Sequence, residues 1–122
     1  AIKLGKYDGH DSDIVTLFAD DEAGLTEAAD IQLVQFDCDP HYDEMLAWAK
    51  ENSGKTPILS KHLLAIGIQY SEEQRKAPIV ALGSVQRGDV LCLDGNSVWR
   101  RLYRFTVRGC WGRGCLFGFL SE

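Results

Sequence analysis

The sequence predicts an α+β fold: a mainly antiparallel sheet of about five to seven strands with two helices packed on one face. Three observations carry this expectation. Helix-period apolar spacing is confined to residues 40–66. From Pro78 onward the chain is rich in β-branched and aromatic residues cut by short Gly-containing turns. The 122 residues contain no internal repeat and no Pro/Ser-rich linker, so residues 1–122 read as a single domain. A hydrophobic fraction of 45% against 25% charged residues suits a globular core.

The elements follow in order. Ile2–Lys6 and Ile14–Ala19 are short strand candidates joined by the polar "YDGHDSD", and residues 20–30 read as a loop. "IQLVQFDC" (31–38) is rich in β-formers and suits a strand. A helix over 40–52 comes next, with Asp39 as N-cap, Pro40 in the first helical position, and Asp43 and Glu44 near the positive end of the helix dipole. Tyr42, Met45, Leu46 and Ala49 make its apolar stripe. A second helix is expected from Thr56-Pro57 to about Ile66, with Gly67 weakening its last turn.

Four strands then follow within "IVALGSV", "VLCLDG", Val98–Arg108 and "CLFGFL", and their short connections allow antiparallel neighbours. Arg87-Gly88-Asp89 spells a cell-adhesion tripeptide, but Gly-Asp is also what a tight hairpin turn requires. It is read as a turn.

Charge is divided along the chain. Residues 1–60 carry 13 acidic against 4 basic side chains, residues 61–122 carry 5 against 9, and the net is −5. The cationic excess concentrates in "NSVWRRLYRFTVRGCWGRGC" (96–115). In a strand over 98–108, Trp99, Arg101, Tyr103, Phe105 and Val107 point one way and are expected to meet the core. Val98, Arg100, Leu102, Arg104, Thr106 and Arg108 point the other way, giving a wet face with arginines about every 13 Å.

Arg100, Arg104 and Arg108, with Trp99, Tyr103 and Trp111 as apolar anchors, are therefore the candidate binding residues. Interfaces enrich these residue types, so self-association or an acidic protein partner is expected, beside the plainer reading of a solvated face whose arginines pair loosely with Asp and Glu of the first half. Nucleic acid is a lesser reading, because the acidic total opposes phosphate.

Asp-x-His occurs twice, as Asp8-Gly9-His10 and Asp39-Pro40-His41. Carboxylate and imidazole suit zinc, iron or manganese, and convergence of the two loops would build a metal-assisted hydrolase on Asp8, His10, Asp39 and His41. The spacing matches no characteristic metal motif, so neither a metal nor any other cofactor is expected. No nucleotide-binding or serine-hydrolase motif is present, and no histidine follows Cys92. A non-catalytic protein is the expectation.

The four cysteines lack a CxxC pair and read as reduced thiols, with a Cys110–Cys115 bridge as the rival. With no leader-like start and no apolar run near the ~20 residues of a membrane span, a cytoplasmic protein is expected. "WAKENSGKTPILSKHL" (48–63) with the hairpin after it resembles a winged helix-turn-helix DNA-binding domain. Its recognition helix would offer bases only Lys61 and His62, and helices packed on a sheet are preferred.

Overall fold

The computed structural model describes residue 7, residues 9–10 and 31–36, and residues 40–52, 54–108, 111–112 and 114–120. Its elements are β1 (Gly9–His10), β2 (Ile31–Gln35), α1 (Tyr42–Glu51), β3 (Thr56–Pro57), α2 (Ser60–Gln69), a 3₁₀ turn (Glu73–Arg75), β4 (Ile79–Val80), β5 (Asp89–Gly95), β6 (Arg100–Thr106) and β7 (Leu116–Leu120). The expected candidates at 2–6 and 14–19, and the loop 20–30, lie outside the described residues.

The fold is α+β. The sheet runs β1-β6-β5-β4-β7-β2, with β3 also paired to β7. Pairing is mostly antiparallel; β1–β6 and β4–β7 are parallel. The last four strands are thus not all antiparallel neighbours. Strand β7, next in sequence after β6, lies on the far side of β5 and β4, and Leu116 N–H bonds the Pro78 carbonyl as β7 enters beside β4.

Both helices pack on this sheet, and strand alternation sorts their contacts. Leu63, Leu64 and Ile66 of α2 join Ile79, Leu91, Leu93 and Leu102 in one apolar cluster. Met45 and Ala49 of α1 join Val80, Val90, Cys92, Phe117 and Phe119 in another. Neighbouring residues such as Ile79 and Val80 belong to different clusters, so each face of the sheet receives one helix, whereas the sequence predicts both on one face. Burial on both faces explains why β4 and β5 read as apolar runs rather than as alternations.

Two helix starts differ from expectation. Helix α1 begins at Tyr42 with His41 as N-cap, two residues later than an Asp39 cap would give. Thr56-Pro57 is strand β3, opposite Leu120 and Phe119, rather than the opening of α2. Proline fixes φ but tolerates extended backbone, and tertiary pairing with β7 decides between the two. Helix α2 starts at Ser60, where Leu59 N–H donates to His62 Nδ1 at 3.0 Å. That bond gives the buried His62 a capping role.

The turn at Arg87-Gly88 is a two-residue hairpin closed by Gln86 N–H to Asp89 O (2.8 Å) and Asp89 N–H to Gln86 O (3.0 Å). Both central residues have positive φ, 54° at Arg87 and 80° at Gly88. A left-handed arginine is strained, so Arg87→Gly raises the unfolding free energy by about 0.5–1 kcal/mol. Urea denaturation checks this; an unchanged or lower midpoint contradicts it.

Candidate functional site: the two faces of β6

Strand β6 lies between β1 and β5, paired with β5 from Asp89↔Thr106 to Gly95↔Arg100. Residues directly opposite share a face. Leu102 sits with Leu93, and Arg104 with Leu91, on the α2 side; Arg101 sits with Asp94, Tyr103 with Cys92 and Phe105 with Val90 on the α1 side.

The face expected to be wet is covered at its start. Arg100 is 5% exposed. Its Nη2 donates to the Gly67 carbonyl at 2.7 Å and to Gln74 Oε1 at 3.0 Å. Its guanidinium carbon lies 4.9 Å from the centre of the Tyr7 ring. Gln74, itself buried, turns its amide to the carbonyls of Asp94 (2.8 Å) and Arg101 (3.1 Å). Four stretches distant in sequence meet at one guanidinium.

Gly67 makes this approach possible: a Cβ there would lie 1.8 Å from the Tyr7 hydroxyl. Burial pushes the Tyr7 phenol up to about 12, against the opposing pull of Arg100. The hydroxyl therefore stays protonated beside the cation.

The three candidate arginines do not form a row. Arg104 Nη1 pairs with Asp89 at 3.0 Å, on the same strand face as buried Leu102. Arg108 lies beyond the strand, pairs with Asp43 of α1 at 3.3 Å and stacks over Tyr42. Arg100 thus points toward α2 and Arg108 toward α1. The strand alternation was read correctly; the covered end and the turn at Val107-Arg108 are what the period alone does not contain. Trp111 is 3% exposed, its Nε1 donating to the Val107 carbonyl at 3.1 Å, so its place is in the core.

The other face, expected to be interior, is partly open. Trp99 is 36% and Phe105 38% exposed. Between them Arg101 lies over Trp99 (5.4 Å) and Tyr103 (4.5 Å). It also grips Asp94 with two bonds, Nε–Oδ1 at 3.0 Å and Nη2–Oδ2 at 2.7 Å. Helix α1 packs on β4, β5 and β7 and leaves this part of β6 uncovered. Arg101 is the site residue that sequence reasoning missed. Its parity with Trp99 and Tyr103 was the available signal.

Beneath this face lies Cys92, whose thiol is raised chiefly by burial, with a lowering hydrogen bond from Tyr103. Tyr103 is likewise pushed up, first by burial and then by Cys92 and Asp94. Neither group ionises near neutrality. Cys92 and Cys115 carry free thiols; Cys38 and Cys110 lie outside the described residues.

The Asp-x-His loops fall only in part within the described residues. His10 is in β1, its backbone opposite Leu102. His41 caps α1, largely exposed and 4.0 Å from Glu44. Asp8 and Asp39 lie outside the described residues. Among the described residues no group of three or more His, Cys, Asp or Glu could hold a metal ion, and no helix is long and apolar enough to cross a membrane.

Comparison with protein-family models, curated proteins and solved structures found no match. Function is argued from the site alone.

Proposed function

We propose that this chain is a non-catalytic interaction protein that binds a second copy of itself through the face bearing Trp99, Arg101, Tyr103 and Phe105. One observation carries the reading. Aromatic and arginine side chains, the types that dominate interface energetics, follow one another along a single strand face and stay partly exposed.

Charge supports a second copy as the occupant. The chain carries −5 overall, yet here Asp94 balances Arg101. An acid beside a base is self-complementary across a two-fold axis, where each faces its opposite in the other copy. An acidic partner has less support, since Asp89 and Asp43 already face Arg104 and Arg108. The same pairing weighs against a phosphate-binding strip. The metal-assisted hydrolase would need Asp8 and Asp39 beside His10 and His41, and elemental analysis of the purified protein tests for the ion.

Sedimentation across the micromolar range tests the dimer. The expected result is concentration-dependent dimerisation, with Trp99→Ser/Phe105→Ser weakening it about tenfold or more, as loss of buried aromatic anchors does. A monomer throughout, or a dimer indifferent to both substitutions, contradicts the proposal.

A further inference from the structure

We infer that Asp94, Trp99 and Tyr103 form a receptor for a guanidinium group, held shut in the isolated chain by Arg101 and opened when the second copy's Arg101 takes its place. The inference rests on the self-association reading and gives that surface its chemistry.

What the site binds is legible from what fills it. Asp94 meets Arg101 fork to fork, at 3.0 and 2.7 Å, a planar two-point match that a guanidinium makes and an ammonium does not. The cation's faces are covered by the Tyr103 ring at 4.5 Å and the Trp99 ring at 5.4 Å.

Receptor and occupant differ in how firmly they are held. The Asp94 side chain is 18% exposed, against 47% for Arg101. Gln74 fixes the Asp94 backbone through its carbonyl at 2.8 Å, and Asn96 Oδ1 accepts from the N–H groups of Val98 (2.8 Å) and Trp99 (3.0 Å). The backbone that carries the carboxylate and the indole is therefore held by the hairpin, while the long arginine stem lies at the surface. Asp94 and Arg101 are only partly shielded from water, so closure by Arg101 lowers the population of the open site by about fivefold or more. In a two-fold pair the exchange is reciprocal: each displaced guanidinium finds the other copy's Asp94.

The test uses N-acetyl-L-arginine amide as probe, titrated into the wild-type protein and into Arg101→Ala while the Trp99 indole N–H is followed by NMR. Removal of the internal competitor should give a saturable shift about fivefold or more tighter than wild type. N-acetyl-L-lysine amide should bind less well, and Asp94→Asn in the Arg101→Ala background should abolish the shift. Arg101→Gln retains the side-chain stem and should show the same gain, which covers loosening of the hairpin in the alanine variant.

No saturable shift in either variant, or a shift indifferent to Asp94→Asn, overturns the receptor. A negative titration beside an intact dimer overturns the receptor and leaves the surface. A positive titration in a chain that stays monomeric leaves the guanidinium site and overturns its use by a second copy.

Discussion

Phe117→Ala lowers the unfolding free energy by about 3–5 kcal/mol, the usual loss for a fully buried phenylalanine. Phe117 is completely buried in β7, opposite Val34 of β2 and Val80 of β4. Its ring meets Phe36 at 5.8 Å and Trp111 edge-on at 5.7 Å, interplanar angle 90°. Phe36 follows β2, and Trp111 belongs to the segment returning from β6, so one ring joins pieces from both ends of the chain. Edge-to-face pairs contribute about 0.5–1.5 kcal/mol beyond area burial. The cavity left by alanine cannot close without moving β7, which is hydrogen-bonded to strands on both sides. Urea denaturation followed by tryptophan fluorescence reads the change. A loss below about 1.5 kcal/mol would mean that this core relaxes far more than fully packed cores do.

Arg100→Met lowers stability by about 2–3 kcal/mol, through acceptors left without their donor. Methionine approximates the stem of arginine and limits the packing loss. The substitution also recovers the cost of burying a guanidinium, a gain that opposes the loss. What remains is the Gly67 carbonyl and Gln74 Oε1, which lose charge-assisted bonds of 2.7 and 3.0 Å in a place where water does not replace them. Tyr7 loses the cation beneath its ring as well. A fall below about 1 kcal/mol would show that the recovered desolvation outweighs the orphaned acceptors.

Much of the architecture was legible because period and turn chemistry agree with the fold. Tyr42, Met45 and Ala49 gave α1 its stripe, and Arg87-Gly88 marked the hairpin. "VLCLDG" and "CLFGFL" read as strands because both of their faces meet a helix. Less legible was what depends on distant pairing. Thr56-Pro57 looks like a helix start until β7 lies beside it, and β7 itself runs parallel to β4 after a crossing that no local pattern encodes.

The arginine strip shows the same division. Alternation placed Arg100 and Arg101 on opposite faces. Which face is wet depends on Tyr7, Gly67 and Gln74, residues 26 or more positions from Arg100. An arginine on a strand reads as a solvent group, yet here a helix carbonyl and a glutamine amide oxygen accept from its Nη2 inside. Conversely, Arg101 was assigned inward with its aromatic neighbours, and the shortfall of helix cover over β6 leaves it at the surface.

Arg100 and Arg101, adjacent in sequence, sit in opposite settings: one is buried against α2, and the other lies half-exposed on the opposite face of β6. Parallel urea denaturation of Arg100→Met and Arg101→Met tests this most directly. The expected result is a loss of about 2–3 kcal/mol for the first and less than about 1 kcal/mol for the second, with equal denaturant slopes. Equal losses, or a larger loss at Arg101, would contradict it.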